Sequence, residues 1–147
     1  TLDETLQRLA SAGGLLGLSN HSGDVRDLEQ AAADGDEGSA LALDVFVEEI
    51  RRNIGGLLMD QGGADAIVFT GGIGENGTMI RERVCEGLDE LGIVIDSAAN
   101  QSVRRSASEL GEASFHADTS KTQLWVIPTN EEVIVARQTL AALGGSR

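Results

Sequence analysis

The sequence predicts an α/β fold, in which short apolar strands run into helices. The run Ala66–Phe69 is apolar throughout, as in a strand that is buried on both faces, and glycines follow it directly. A second strand is predicted over residues 123–127, where it is stopped by Pro128, and a helical pattern comes after it. The helical pattern that begins at Glu37 has an apolar face wide enough to pack against a sheet. A chain of 147 residues is long enough for one core, so a single domain over residues 1–147 is expected.

Capping patterns and helical spacing predict the helices of the first part of the chain. Thr1 and Glu4 have the spacing of a capping box, which marks the start of a helix. Asp24 has the right side chain for an N-cap, and glycines stop both the first helix and the long one. Helices are therefore expected over residues 1–11, 24–33 and 37–61.

The segment after the first strand has the features of a phosphate-binding loop. Gly71, Gly72 and Gly74 lack Cβ atoms, so a phosphate can approach the main chain closely and the backbone can take positive φ. Backbone N–H groups at the start of a helix favour anions. The helix that should follow is predicted from apolar residues at helical spacing: Ile80, Val84, Leu88 and Leu91.

Two other interpretations of this segment remain open on the residues alone. Gly72, Gly74 and Gly77 match the dinucleotide fingerprint, and Asp96 follows about 20 residues later. Against that match, a long helical stretch precedes the segment, and Glu75 would repel a pyrophosphate unless it faces magnesium or the sugar or base of a nucleotide. The third interpretation is a glycine-rich turn that binds no ligand.

Charge and composition limit the class of partner. The chain carries 24 acidic against 11 basic residues, a formal net charge of -13, which argues against nucleic acid and against anionic membranes. No apolar run reaches the length of a membrane span, and no signal peptide is visible. The single cysteine, Cys85, fits a reducing cytoplasm and is expected to pack within a helix. The chain opens on Thr1 rather than methionine, so we expect it to begin within something longer.

Several polar residues have both a structural and a functional interpretation. Arg26 is either a solvated charge or a ligand contact, and Asp24 is either only an N-cap or a second contact. Arg104 and Arg105 could meet phosphate, although a solvated surface is the favoured interpretation. Neither His21 nor His116 has a partner at metal-ligand spacing.

The start of the last helix carries two neighbouring carboxylates. Thr129 and Glu132 have the spacing of a capping box, which gives Glu132 a structural role. Glu131 either interacts favourably with the helix dipole or, just past a strand end, holds a magnesium ion through water.

Five motifs, in this order along the chain, resemble the C-terminal part of the acetate kinase family. They occupy residues 14–19 (GLLGLS), 24–27 (DVRD), 41–46 (LALDVF), 65–76 (DAIVFTGGIGEN) and 126–132 (VIPTNEE). The resemblance implies the ribonuclease H-like fold of acetate and sugar kinases, Hsp70 and actin, in which two related domains close over ATP and magnesium. This chain would be the C-terminal domain portion of that fold, without its first strands.

The resemblance also implies roles for individual residues. The Asp-x-Arg nucleotide contact of the family matches Asp24, Val25 and Arg26. The magnesium carboxylate of the family matches Glu131. The family's glycine-rich nucleotide contact, which looks toward the adenosine as well as the phosphates, matches Gly72, Ile73, Gly74, Glu75 and Asn76. A dinucleotide site is therefore no longer favoured.

The motifs that the family uses for chemistry have no counterpart in these residues. The Asn-x-Gly-Ser-Ser phosphate loop, the His-x-Gly-x-Gly turn, the acetate-contacting arginine and the catalytic aspartate and arginine all lie outside the resemblance. We therefore expect the chain to bind ATP or ADP with Mg²⁺ and to be inactive alone. Acetate or acetyl phosphate would be bound by the missing part, and a cytoplasmic homodimer is implied. The alternatives are a non-catalytic assembly module and a propionate or butyrate kinase fragment.

Overall fold

The computed structural model describes residues 1–103, 111–129 and 131–144, so Arg104 and Arg105 lie outside the described residues. The chain divides into two compact units, residues 1–64 and residues 65–147. Contacts are denser within each of these units than between them. The single domain that was expected from the length of the chain stays a prediction.

The first unit consists of four helices, and their starts follow the capping patterns of the sequence. They are α1 (Leu2–Ala12), α2 (Gly14–Ser19), α3 (Val25–Ala33) and α4 (Glu37–Gln61). The capping box between Thr1 and Glu4 is present, and Asp24 caps α3 by accepting from the Arg26 amide. Helix α4 packs against α2 and α3. The buried apolar side chains of this unit are Val25, Leu28, Ala42, Leu43 and Val47.

In the described part of the second unit, three strands form a sheet, and helices follow two of them. The strands are β1 (Ala66–Phe69), β2 (Ala113–Ser114) and β3 (Gln123–Val126), in the order β1-β3-β2. Strands β1 and β3 are parallel, and β2 pairs antiparallel with β3. The helices are α5 (Gly71–Asn76), α6 (Thr78–Cys85), α7 (Ser97–Ser102) and α8 (Glu131–Gly144), and a short 3-10 helix spans Asp89–Leu91. The parallel pair brings the carboxyl ends of β1 and β3 to the same edge of the sheet.

Strand β1 is less buried than its sequence predicts. The apolar run predicted burial on both faces, but Val68 is 48% exposed. Side chains alternate between the two faces of a strand, and the face with Ala66 and Val68 is exposed whereas the face with Ile67 and Phe69 is half-buried, so only one face of β1 is partly covered. The apolar run therefore predicted the position of the strand correctly, but its prediction that both faces are buried was wrong.

The helix after the glycines is also shorter than predicted. It is broken at Gly77 into α5 and α6, and α6 ends at Cys85. Leu88 and Leu91 therefore do not share a helix with Ile80 and Val84, although their spacing suggested it. Cys85 is buried in α6, which confirms its predicted packing role. Across the described residues, no helix has the length and apolarity that a membrane span requires.

Candidate functional site

The glycine segment, residues 72–76, lies just beyond the carboxyl end of β1. Strand β3 runs parallel beside β1, and the Ile127 amide donates to the Phe69 carbonyl at 3.0 Å where both strands end. The connection from β3 then leads into α8, which begins at Glu131. In open α/β sheets, ligands bind outside the carboxyl ends of parallel strands. The fold thus brings two of the predicted site elements to one edge of the sheet.

The three glycines before and within this segment have three different conformational roles. Gly71 has a φ of +72°, a conformation that favours glycine, as predicted. A Cβ atom added at Gly72 would meet nothing within 4 Å, so the main chain there borders open space. A Cβ atom at Gly74 would lie 3.1 Å from the Phe69 carbonyl carbon, so this glycine permits close packing of α5 on β1. Gly71 also borders open space, but its positive φ strains any side chain placed there, so Gly72 is the position at which a side chain can test the expected close approach of a ligand.

The Glu75 side chain is buried and serves as a hydrogen-bond acceptor within the fold. Only 2% of the residue is exposed. Its Oε1 atom accepts from the Thr129 amide at 3.0 Å and from the Thr129 hydroxyl at 3.4 Å. Glu75 therefore joins α5 to the turn that precedes α8. A ligand at the glycine segment would meet the main chain of Glu75 rather than its carboxylate.

This contact replaces the capping box that the sequence predicts at Thr129 and Glu132. In that motif the Thr129 amide would donate to Glu132, but it donates to Glu75 instead. The structural role predicted for Glu132 was wrong, because the acceptor for the Thr129 amide is Glu75, which lies 54 residues before Thr129 in the sequence.

Arg81 is the site residue that sequence reasoning missed. It is fully buried on α6, and its guanidinium group lies with Cζ 5.4 Å from the centre of the Phe115 ring. Its Nη1 atom donates to the Gly74 carbonyl at 2.8 Å and to the Glu75 carbonyl at 3.1 Å. Arginine is rarely buried without partners, so a charge amid apolar helical spacing was the available signal. Burial lowers the pKa of Arg81.

Asn100 holds the other side of the Arg81 guanidinium group. Its Oδ1 atom accepts from Arg81 Nε at 2.8 Å, and its Nδ2 atom donates to the Thr78 carbonyl at 3.0 Å and to Glu82 Oε2 at 2.9 Å. The second Glu82 oxygen accepts from the Ser97 hydroxyl. Asn100 is fully buried, so each of these bonds replaces one that water would otherwise make.

Asn76 stabilises the glycine segment from within. Its Nδ2 atom donates to the Gly72 carbonyl at 2.8 Å, one helical turn earlier. The Gly77 amide donates to the Ile73 carbonyl at 2.7 Å, which closes the last turn of α5. The segment that the sequence predicts as a loop is therefore an ordered helical turn.

Asp24 and Arg26 form an ion pair at the start of α3 in the first unit. Arg26 Nε donates to Asp24 Oδ1 at 3.0 Å, Arg26 Nη2 lies 2.5 Å from Asp24 Oδ2, and the Arg26 amide also donates to Oδ1. The bonds from Arg26 lower the pKa of Asp24 to about 2. The Arg26 side chain is 84% exposed, so its guanidinium face is accessible, whereas the buried Val25 side chain is not.

The magnesium site was expected at Glu131. Glu131 is the first residue of α8, five residues after the end of β3, and its side chain lies outside the described part of the chain. Among the described residues, no cluster of three or more His, Cys, Asp or Glu side chains is arranged to hold a metal ion. Magnesium in nucleotide sites is held by one or two carboxylates together with phosphates and water, so a single carboxylate fits that mode.

Comparison with known sequences identifies the family. A model described as the acetokinase family matches residues 1–137, which is nearly the whole chain. The chain belongs to this family. Its mixed α/β fold is the one expected, since solved acetate and propionate kinases match it along about a third of their own length.

Individual acetokinase relatives agree with the assignment. The chain is 43% identical over 138 residues to an acetate kinase of Finegoldia magna, a match that covers 94% of the chain and 33% of the relative. It is 46% identical over 134 residues to a propionate kinase of Citrobacter rodentium, covering 91% of the chain and 31% of the relative. The crystal structure of Porphyromonas gingivalis acetate kinase superimposes with a TM-score of 0.78 at 36% identity, covering 90% of the chain and 32% of that structure. The chain spans about a third of the length of these relatives.

Proposed function

We propose that this chain is the nucleotide-binding portion of a kinase that transfers a phosphoryl group between ATP and acetate, giving acetyl phosphate and ADP. The observation that carries the proposal is the position of the glycine segment, at the carboxyl end of β1 in a chain of the acetokinase family. ATP and ADP are the direct ligands in this account. Acetate is bound by residues outside this chain, and a homodimer is part of the proposal.

The glycine segment would bind the nucleotide through its main chain. At Gly72 the backbone borders open space, so a phosphate or ribose group can approach it without a side chain in the way. Asn76 and Gly77 hold the turn by hydrogen bonds to earlier carbonyls, so the bound conformation needs little further ordering. A pre-formed segment lowers the entropic cost of binding.

Asp24 and Arg26 would supply a second contact to the nucleotide. The Asp24 carboxylate orients the Arg26 guanidinium group through two parallel bonds, which leaves the planar face of that group accessible. Such a face stacks on aromatic rings, and a nucleotide base is one. Asp24 then acts by holding Arg26 in place, in addition to capping α3.

Mg²⁺ would be held between the nucleotide phosphates and the Glu131 carboxylate. When bound, the ion supplies positive charge to the phosphoryl group during transfer. The contribution of this chain is the start of α8, which Glu75 fixes through its bonds to Thr129. The remaining charge stabilisation comes from cations in the rest of a longer kinase, so the isolated chain is inactive.

A propionate kinase portion is the second candidate, and a specific similarity favours it. The propionate kinase of Citrobacter rodentium is 46% identical to the chain, and the acetate kinase of Finegoldia magna is 43% identical, so the chain is similar to kinases of both acids. The two candidates share the nucleotide site and differ in the acyl pocket, which we assign to residues outside this chain. The acceptor acid is therefore tested on the longer protein, by comparing kcat/KM for acetate and propionate.

The proposal is tested by substituting one glycine whose space is open. Gly72→Ala adds a methyl group where a ligand would approach, so binding of Mg·ADP should weaken about tenfold or more, by loss of a close main-chain contact. Alanine also stabilises a helix by up to about 1 kcal/mol relative to glycine, so the folded state should not suffer. Isothermal titration calorimetry measures the binding, and thermal unfolding measures the stability.

The matched control is Gly55→Ala in α4. A Cβ atom there also meets nothing within 4 Å, so the same stabilisation is expected without any change in nucleotide affinity. If Gly72→Ala and wild type bind Mg·ADP equally well, the glycine segment is not the nucleotide site. Acetyl phosphate formation by the isolated chain at an ordinary kinase rate of about 1 to 100 per second would contradict its assignment as an inactive portion.

A further inference from the structure

Arg81 is a buried cation whose contacts reach the glycine segment. Its Nη1 atom binds the carbonyls of Gly74 and Glu75, both in the last turn of α5. Carbonyl groups at the end of a helix lack intrahelical donors and carry the negative end of the helix dipole. The guanidinium group therefore satisfies two acceptors of the segment and stabilises its last turn.

The same group binds a second helix on its other side. Arg81 Nε donates to Asn100 Oδ1 at 2.8 Å, and Nη2 donates to the carbonyls of Asn100 and Val103 at 3.2 Å each. Those carbonyls lie at the end of α7. Five hydrogen bonds thus use the five N–H groups of arginine, and they join α5 to α7.

This arrangement requires arginine rather than any large or charged residue. Burial of a cation is costly unless hydrogen bonds compensate it, and the acceptors described here are neutral carbonyl and amide oxygens. Lysine keeps the charge, but it has three donors in place of a planar fork of five. Methionine keeps much of the volume, but it would leave all these acceptors without a donor. The geometry therefore depends on the guanidinium fork.

We propose that Arg81 is a positioning residue for nucleotide binding, which fixes the main-chain conformation of residues 72–76. The inference rests on the proposed function of that segment. Arg81 does not touch the nucleotide, because its side chain is fully buried. It acts through the Gly74 and Glu75 carbonyls, which follow directly on the open main chain at Gly72.

The test compares Arg81→Lys with Arg83→Lys in the full 147-residue chain. Arg83 lies on the same helix, and Arg83 Nη1 is 3.9 Å from the Met79 sulfur, so both variants make the same chemical change on α6. Arg81→Lys should weaken Mg·ADP binding about tenfold, since bonds to a charged donor are lost, while Arg83→Lys binds as wild type. Amide hydrogen exchange at residues 74–77, without nucleotide, should also accelerate in Arg81→Lys alone.

A second measurement needs no variant, so it remains informative if Arg81→Lys fails to fold. Coupling between two sites is reciprocal, so a nucleotide that is stabilised by the Arg81 contacts must in turn stabilise them. Mg·ADP should therefore slow hydrogen exchange of the Arg81 Nε–H group in the wild-type chain. NMR of the guanidinium Nε–H signal measures that rate.

The outcomes separate this inference from the proposed function. If wild type binds no Mg·ADP, the proposed function fails, and unchanged amide exchange in Arg81→Lys would then overturn the positioning role as well. Two results would overturn the positioning role alone, provided that wild type binds Mg·ADP. One is an equal affinity of Arg81→Lys for Mg·ADP, and the other is an Arg81 Nε–H exchange rate that does not change when Mg·ADP is added. Weaker binding in Arg81→Lys with wild-type binding in Arg83→Lys supports it.

Discussion

The two nucleotide-contact motifs that the sequence predicts are built in opposite ways. Asp24 and Arg26 are two residues apart, largely solvent-exposed, and bound to each other at the start of a helix. The glycine segment is held by side chains from far along the chain: Asn100 lies 19 residues after Arg81, and Thr129 lies 54 residues after Glu75. The first element is stabilised locally, and the second is stabilised by tertiary contacts that exclude water.

This difference predicts different sensitivities to mutation. An exposed ion pair contributes little to the free energy of unfolding, because water and salt screen it. A buried polar network contributes more when it is intact and costs more when one member is removed, because the remaining groups stay buried without partners. Mutations in the second unit should therefore affect folding and binding, whereas those at Asp24 and Arg26 should affect binding alone.

The largest effect is expected from Asn100→Ala. This change leaves Arg81 Nε, the Thr78 carbonyl and Glu82 Oε2 without their partner in a buried network. We expect destabilisation of the second unit by about 3 kcal/mol, from several unsatisfied groups together. Denaturant unfolding followed by fluorescence of Trp125, the single tryptophan and a residue of β3, reports on this unit.

The control for Asn100→Ala is Asn53→Ala in α4. Asn53 is exposed, and its amide donates to the Glu49 carbonyl one turn earlier. The change there should stay within about 0.5 kcal/mol, as for most surface substitutions. Equal destabilisation by the two variants would show that the buried network around Arg81 contributes no more to the free energy of unfolding than an exposed side chain does.

An intermediate effect is expected from Glu75→Ala. The Thr129 amide and hydroxyl lose their acceptor, so the turn before α8 loosens, and the loss should be about 2 kcal/mol. Glu132→Ala removes the carboxylate that the capping pattern indicated, and it should cost little. Amide hydrogen exchange at Thr129, measured in both variants, should accelerate in Glu75→Ala only. Faster exchange in Glu132→Ala only would indicate that Glu132 accepts from the Thr129 amide, and it would contradict the bond from that amide to Glu75.

The smallest effect is expected at Asp24, and it depends on pH. The bonds from Arg26 lower the pKa of Asp24 to about 2, below its usual 3.8. The stabilisation from this pair is therefore present above the usual pKa and is lost as the pH falls from about 4 to about 2. Arg26→Gln should raise the midpoint toward the usual value, which a carboxyl NMR titration measures. An unchanged midpoint would mean that the amide bond at the N-cap alone lowers the pKa.

The sequence predicted the local features of this chain well and the distant ones poorly. Capping at Thr1 and Asp24, the ends of α4 and the strands β1 and β3 depend on neighbouring residues, and their patterns are visible in the sequence. The roles of Glu75 and Arg81 depend on partners that only the fold brings near. For the same reason, the exposed face of β1 was not predicted, because burial of a strand face depends on which other elements cover it rather than on the composition of the strand.

The glycines illustrate the same limit within one motif. Their spacing predicted a turn and a close ligand approach for all three, but a positive φ occurs at Gly71 and close packing at Gly74. Pattern alone does not separate these causes, because each of them excludes a side chain. The backbone φ together with the space around an added Cβ atom does separate them, and it identifies Gly72 as the position to test.

The most direct test is NMR mapping of the ¹⁵N-labelled chain as Mg·ADP is added. We expect saturable shift changes at the amides of residues 72–76, together with changes at Asp24 and Arg26. Gly72→Ala should suppress the changes at residues 72–76, and Gly55→Ala should leave them as in wild type. Shift changes confined to other regions, with residues 72–76 unaffected at saturation, would contradict the assignment of this segment as the nucleotide site.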